Sequence, residues 1–330
     1  MLKEFMARLY SFPAEIQGTL NKIFSHNGWS WNPRQLAQDI IQLSDFYIQN
    51  PASITPWEKP WAQRALLTYY WPLNTLRFQA VMDELKRLKF LRGLTHAIDF
   101  GAGPATAAHV LKDFFSSIDV VERSTVPQSW FPDFNWTSKI QAGPKSCTVF
   151  CYSMTEMASL PEWALRSEAL IIVEPAIHQD GRKLLQTRQY LLEKGYSAWA
   201  PCPHQQACPL LLNSKTDWCH DRIEVQAPPW FLEIEDHLPI KNKTLTMSYL
   251  AMRKAPAPLV KWSRITGDRL EEKGKTRQLI CRGTAREFLS WLHRDGAAPH
   301  FLRGDRVVLE SFDNKSNELR VKKINRVESD

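Results

Sequence analysis

Through the first ninety residues the apolar positions recur at helical spacing. Leu36, Ile40, Leu43 and Tyr47 share one stripe, opened by the start signal Asn32-Pro33 and closed by Asn50-Pro51. Residues 60–70 read as a second helix, and Pro72 is expected to restart the chain into a third over 73–88, with Leu76, Ala80, Leu85 and Leu88 turned inward. Residues 1–94 are therefore predicted to be a helical region. The aromatic group Trp61, Tyr69, Tyr70 and Trp71 is expected to pack against the next domain rather than to stack on bases.

From Thr95 the period changes. Short, continuous apolar runs at 96–100, 118–122, 147–152, 169–174, 196–201 and 245–253 alternate with helical stretches. Such alternation predicts an α/β domain with a mostly parallel, doubly wound sheet over residues 95–254. Ligands of these sheets lie beyond the carboxyl ends of the strands, here Asp99, Glu122, Tyr152-Ser153 and Glu174-Pro175. Ala255-Pro256-Ala257-Pro258 then reads as a linker. Residues 255–330, with β-rich runs at 278–281 and 306–312, are predicted to form a small β module.

Composition changes this picture in two places. Apolar residues make up 44% of the 330, with 13 Trp and 16 Phe, enough for a substantial core, while no run of 18 uncharged apolar residues exists to form a membrane span. Residues 1–20 lack the continuous apolar centre of a secretory signal, and Glu4 and Glu15 argue against a presequence despite Lys3 and Arg8. A cytoplasmic or matrix protein is expected. The net charge of +7 is unevenly placed: residues 1–250 carry 24 Lys+Arg against 24 Asp+Glu, residues 251–330 carry 18 against 11. A basic terminal module beside a neutral one points to a polyanionic partner, RNA first.

Chemistry concentrates in two stretches. In the first, Ile98-Asp99-Phe100-Gly101-Ala102-Gly103-Pro104 joins an apolar run to a predicted helix at 107–115, and a second apolar run ends about twenty residues later at Glu122. Strand, glycine turn, helix, strand and carboxylate form a nucleoside-binding arrangement, the turn approaching the ligand and the carboxylate accepting from ribose hydroxyls. An acid directly before the turn fits the first motif of S-adenosylmethionine-dependent methyltransferases better than a dehydrogenase fingerprint.

In the second stretch, Cys202, Cys208 and Cys219 fall within eighteen residues of a proline-bordered segment, and Cys281 supplies a fourth thiol from the basic module. Their spacing is not that of paired zinc knuckles, and in an intracellular chain they read as metal ligands before disulfides. An iron-sulfur cluster, a zinc site completed by His204 or His220, and unliganded thiols are all open on the residues alone. Cys147 and Cys151 read as core residues of a buried strand.

Asp-x-Gly-Ala-Gly-Pro at 99–104, Tyr152-Ser153-Met154-Thr155-Glu156, Val173-Glu174-Pro175 with Gly181 and Arg188, and above all the segment from Pro201-Cys202-Pro203-His204 through Cys208-Pro209 to Trp218-Cys219-His220 resemble the methyltransferase-like small-ribosomal-subunit protein family of bacteria and mitochondria. The segment Lys243-Thr244-Leu245-Thr246-Met247-Ser248-Tyr249-Leu250, Arg264-Ile265 and Cys281 continue the likeness, which covers roughly residues 65 to 310. The resemblance implies a Rossmann-like class I methyltransferase sheet that binds S-adenosyl-L-methionine, with Asp99, Gly101, Ala102, Gly103, Glu122, Tyr152 and Ser153 at the cofactor. It further implies a [4Fe-4S] cluster on Cys202, Cys208, Cys219 and Cys281, with zinc as the alternative, and a monomer that associates with rRNA and proteins of the small ribosomal subunit during assembly or translation. The compartment would be the cytoplasm in a bacterium and the mitochondrial matrix in a eukaryote. Ala105 departs from the family, in which glycine is usual.

Methyl transfer itself has little support in the residues. Amino-methylating enzymes hold the target nitrogen with Asn/Asp-Pro-Pro-aromatic, whereas Ala227-Pro228-Pro229-Trp230 lacks the polar residue and reads as a turn. The expected function is rRNA binding with little or no methyl transfer. An active rRNA methyltransferase and a cluster-gated, redox-sensitive RNA-binding protein are the alternatives.

Overall fold

In the computed structural model, residues 8–50, 53–316 and 318–327 are described. Pro51, Lys3 and Glu4, used above as signals, lie outside them. Fifteen strands follow one another among the described residues: β1 (Leu9–Ser11), β2 (His96–Phe100), β3 (Ser117–Val121), β4 (Asn135–Trp136), β5 (Ser146–Cys151), β6 (Ala169–Glu174), β7 (Ser197–Ala200), β8 (Asp221–Gln226), β9 (Thr244–Arg253), β10 (Ser263–Ile265), β11 (Leu270–Glu272), β12 (Lys275–Cys281), β13 (Glu287–Leu292), β14 (Arg306–Lys315) and β15 (Glu318–Arg326). The chain forms two compact units. The first holds the residues up to Asp83 with Gly93–Ser167 and Ile223–Leu245; the second holds Glu84–Arg92, Glu168–Arg222 and the residues from Thr246 onward.

In the first unit, helix Pro33–Gln49 begins where expected: the Asn32 side chain accepts from the Gln35 amide and Pro33 occupies the first turn, where its missing N–H costs nothing. Pro72 does not restart a helix. The chain runs from α-helix Pro60–Ala65 through a π-turn, Leu66–Tyr70, straight into α-helix Trp71–Arg87. The wider π-turn takes up the register where the proline ring would collide with an α-helical ladder. Tyr69 stacks on Phe231 at 5.8 Å and Trp71 packs on His109 and Phe131, so these aromatics are packing groups as expected. The region is not wholly helical, because β1 pairs in parallel with Glu224–Gln226 of β8.

The central strands of this unit run β5-β2-β3-β4, all parallel. β3 and β4 follow β2 to one side and β5 returns on the other, so strand order reverses at β2 and leaves a crevice at its carboxyl end. β5 is buried at every position, which is why it reads as a continuous apolar run containing Cys147 and Cys151.

In the second unit, β9 lies antiparallel to both β6 and β7. A reversed strand of this kind distinguishes the class I methyltransferase sheet from the all-parallel dinucleotide sheet, and the chain has the Rossmann-like α/β architecture expected of it. Arg253, at the end of β9, pairs with Glu168 and donates to the carbonyls of Phe90 and Arg92, tying three segments of this unit together. The residues after the Ala255–Pro258 stretch form a barrel. β10 pairs with β12 and β14, β12 with β13, β13 with β15, and β15 with β14, which closes a five-stranded ring with β11 appended to β12. Only the β13–β15 pair in that ring is parallel. Ile265, Ile280, Leu289, Trp291, Val307 and Leu319 fill its interior.

Candidate functional site

The crevice at the end of β2 is built by backbone first. Gly101 has φ +66°, and a Cβ there would stand 2.5 Å from the Ser153 Cβ, so this turn admits only glycine. The Ser153 hydroxyl donates to the Phe100 carbonyl at 2.8 Å and locks the end of β2 to the end of β5. Tyr152 is itself left-handed at φ +61°, a backbone state bulky residues adopt only under constraint from their surroundings. Glu122, at the end of β3, accepts from the amides of Gly103 at 2.9 Å, Arg123 at 2.7 Å and Ser124 at 3.1 Å. Asp99, Gly101, Ala102, Gly103, Glu122 and Ser153 thus stand at the ends of three adjacent strands.

Asp99 occupies a different position from the one a ribose-facing carboxylate would need. It is fully buried; Oδ2 accepts from the Ala108 amide at 2.9 Å and Oδ1 is buried without a hydrogen-bond partner among the described residues. Its link is to the helix Thr106–Leu111 that follows the turn. Burial pushes its carboxyl up to about 7, the charge of Glu122 adds to this, and the Ala108 amide opposes it. The folded chain therefore binds this proton more tightly than the unfolded chain, whose value is about 3.9. The stabilisation is complete below about pH 4 and is lost as the pH rises through about 7. Asp99→Asn should flatten that decline, which runs at up to about 1.4 kcal/mol per pH unit. Urea midpoints of both proteins across this window check it; parallel curves would count against the assignment.

Ala105 explains the family's glycine in a different way from ligand contact. Its φ is +54° and it is fully buried at the N-terminus of helix Thr106–Leu111. Glycine adopts that left-handed state freely, whereas alanine carries a cost of roughly 1 kcal/mol. The Ala227-Pro228-Pro229-Trp230 string is not a turn: Pro228 caps and Pro229 opens the helix Pro229–Glu235.

The four cysteines lie together in the second unit. Cys202, Cys208, Cys219 and Cys281 line one cleft with a free space of about 460 Å³, open solvent at its mouth included, whose wall also includes Leu185, Leu210, Leu279 and Ile280 with Arg188, His204, Arg264 and Arg286. Three segments place the four thiols. Cys202 and Cys208 follow β7, where both ends of the Gln205 side-chain amide bond the Ala198 backbone at 2.7 Å and fold the segment back. The Cys219 carbonyl accepts from Ser248 of β9, and the Trp218 indole donates to the Ala176 carbonyl. Gly181 is required beneath that indole, because a Cβ would stand 2.5 Å from Trp218 Cδ1. Cys281 ends β12, and its neighbour Leu279 packs with Leu185, Cys208, Leu210 and Phe288.

Arg188 governs the electrostatics of this cleft. It is buried, its Nε donates to Cys202 Sγ at 3.1 Å, its Nη2 donates to the His204 carbonyl at 2.7 Å, and its Nη1 has no partner among the described residues. Burial, with repulsion from neighbouring sulfurs, pushes the Cys208, Cys219 and Cys281 thiols up. Among the thiols, Cys208 and Cys281 also feel the opposing charge of Arg188, and Cys219 that of Arg264. His204 is held down at about 4 by burial and the Arg188 cation, and its Nε2 lies 3.4 Å from Cys281 Sγ. His220 points elsewhere, its Nδ1 3.5 Å from the Arg303 guanidinium. Of the two histidines left open by the sequence, only His204 lines the cleft. Arg188 was visible in the sequence as part of a motif, but nothing in its neighbours announced that it would face sulfur fourteen residues away.

No curated protein matches the chain. A protein of Pyrococcus horikoshii described as a proposed RNA methyltransferase is similar in structure, with 13% identity, 55% of this chain and 82% of that one covered, and a TM-score of 0.34. The plantazolicin methyltransferase BamL gives 10% identity, 67% and 98% coverage, and a TM-score of 0.37. Residues 158–291 match the family model described as mitochondrial small ribosomal subunit Rsm22, a span that includes all four cysteines of the cleft together with Gly181 and Arg188. Over that span, and above all in its cysteine segment, the chain is similar to the small-ribosomal-subunit family that the model describes.

Proposed function

We propose that this protein carries a [4Fe-4S] cluster on Cys202, Cys208, Cys219 and Cys281, binds S-adenosyl-L-methionine, and associates with the rRNA and proteins of the small ribosomal subunit to assist its assembly or translation, with little or no methyl transfer. The observation that carries this reading is the convergence of four thiols, from three separate segments, on one cleft that also holds an unpaired Arg188 N–H. Soft thiolates favour iron-sulfur or zinc. A single zinc ion needs its donors about 2.3 Å from one point, and among the described residues no group of three or more His, Cys, Asp or Glu side chains is drawn together closely enough to hold an ion. Arg188 would donate to the sulfur atoms of the cluster and offset their negative charge. When bound, the cluster supplies a covalent tie between the cysteine segment and the barrel strand β12.

At the other site, Gly101, Ala102 and Gly103 give a ligand access to backbone, Glu122 would exchange its Gly103 bond for ribose hydroxyls, and Tyr152 and Ser153 fix the facing strand end. S-adenosyl-L-methionine would bring an activated methyl group. No Asn/Asp-Pro-Pro-aromatic segment accompanies the site, and the string nearest to one opens a helix instead, which supports a binding role over transfer. In a eukaryote the working compartment would be the mitochondrial matrix. Among the described residues no helix is long and apolar enough to cross a membrane.

Anaerobic purification followed by iron and sulfide analysis, titration calorimetry with S-adenosyl-L-methionine, and co-sedimentation with small-subunit particles test the three parts separately. Iron without sulfide, or zinc alone, would overturn the cluster. Loss of a specific rRNA methyl group in a deletion strain would replace the binding role with an active rRNA methyltransferase.

A further inference from the structure

The barrel of the second unit has a connectivity that its charge alone did not reveal. Its first strand, β10, pairs with the second, β12, and the fourth, β14; the third, β13, runs parallel to the fifth, β15; every other pair is antiparallel. That is the topology of the oligonucleotide-binding barrel, which takes its ligand across the outer face of strands two and three. Here those strands are β12 and β13, so the sequence of outward residues on them decides what the face can hold.

Side-chain alternation sorts the face. Gln278, Ile280, Leu289, Trp291 and Leu319 turn inward, which leaves Lys275, Arg277 and Leu279 of β12, Phe288 and Ser290 of β13, and Arg320 of β15 outward. Register aligns them in rows, Leu279 beside Phe288 and Arg277 beside Ser290 beside Arg320. The first row is plugged, because Leu279 and Phe288 pack on Leu185, Cys208 and Leu210. In the second row Ser290 is fully buried, but Arg277 and Arg320 on either side of it stay partly exposed, and the row is cationic.

Arg277 is presented as a flat plate. Its guanidinium lies over the Phe288 ring at 4.8 Å and is anchored by Glu272. Arg286 lies over the same ring at 4.9 Å and is anchored by Asp217. Around the plate stand Lys275, held by Glu318 at 2.7 Å, Lys322, held by Asp313 at 2.7 Å, and Arg320, whose Nε is buried without a partner among the described residues. Fixed guanidinium planes stack on unpaired bases, and flanking cations track the backbone of a single strand.

We infer that the face formed by Lys275, Arg277, Arg320 and Lys322 binds single-stranded RNA. The inference deepens the ribosomal reading by naming the strand state and the surface, and it rests on that reading only for the choice of RNA over DNA.

The test uses the full chain, loaded with its metal centre as purified, and a fluorescent, unstructured RNA of about 16 nucleotides, the upper site size of one such barrel. Four phosphate contacts predict a log-log salt slope of about −2.8 for a single strand. Arg320→Gln with Lys322→Gln should halve it to about −1.4 and weaken binding at least about tenfold. Arg277→Lys should leave the slope unchanged but weaken binding about tenfold, because a charge without a plate cannot stack. Lys261→Gln with Arg294→Gln, exposed cations elsewhere on the module, should change neither. Equal losses in the face pair and the control pair, an innocuous Arg277→Lys, or displacement of RNA by polyglutamate as readily as by a competing RNA would each overturn the inference. If the unaltered chain sediments with small-subunit particles yet has no affinity for the oligonucleotide, the inference fails and the ribosomal reading stands. If it binds neither, the ribosomal reading fails. Unchanged thermal melts establish that the variants are folded.

Discussion

Iron and acid-labile sulfide are expected to fall from about four of each per chain to near zero in Cys281→Ser, with loss of the visible absorption that accompanies them. Serine keeps the size of the side chain but removes the thiolate that a soft metal centre requires. Cys147→Ser is the matched control: its thiol is buried in β5 of the first unit, so the variant should retain iron and lose only packing. Retention of iron in Cys281→Ser would remove the cluster from the barrel strand. The same variant should be only modestly more sensitive to protease at Pro256 to Pro258, because the barrel has other attachments in the second unit. Leu279 and Phe288 pack on Leu185 and Leu210, Arg286 pairs with Asp217, and the Asn213 amide donates to the Thr284 carbonyl.

Arg264→Leu should be the most destabilising single change other than at the four cysteines of the cleft, by about 3–5 kcal/mol. Arg264 is 1% exposed and at once bonds both oxygens of Asp221, the Tyr249 hydroxyl at 2.8 Å and Glu84 at 3.3 Å. A leucine there strands buried carboxylate charge, whereas Glu84 keeps Arg306 at 3.6 Å and Arg87 at 3.9 Å. The cost therefore centres on Asp221. Adding Asp221→Asn should recover part of the loss, since a neutral amide costs less to bury than a carboxylate that has lost its guanidinium. Thermal denaturation of the two variants checks both statements: a fall in Tm of about 4–7 °C for the single change follows from the size of the chain. Equal melting temperatures for single and double variants would mean that charge is not what Arg264 neutralises.

Much of the architecture can be read from local chemistry. The strands at His96–Phe100 and Ala169–Glu174 have the boundaries their apolar runs predict, because a central strand covered on both faces must be apolar on both and has no alternative use for such a run. β8 was not legible: Asp221-Arg222-Ile223-Glu224-Val225-Gln226 alternates in polarity, and only Ile223 is buried among its apolar residues. The failed break at Pro72 has a local cause too, since proline rules describe α-helical turns and a π-turn precedes this one. Asp99 was legible as a motif residue, but its neighbour could not be inferred, because a carboxylate one residue before a glycine turn can face either a ligand or the following helix.

By itself the sequence determined which residues could bear chemistry: the four thiols of one cleft, the acid-glycine turn and the excess of cations near the end of the chain. Those are properties of side-chain type and local spacing, which no folding event alters. Tertiary structure alone decided which of them meet. It brought Cys281 to the loop of Cys202, Cys208 and Cys219, aimed Arg188 at their sulfur atoms, turned His220 away, and closed five strands into a ring that spreads Lys275, Arg277 and Arg320 across one face. The physical reason is that strand pairing fixes register over long separations, as between Ser290 and Arg320, and register, not composition, sets which side chains share a surface.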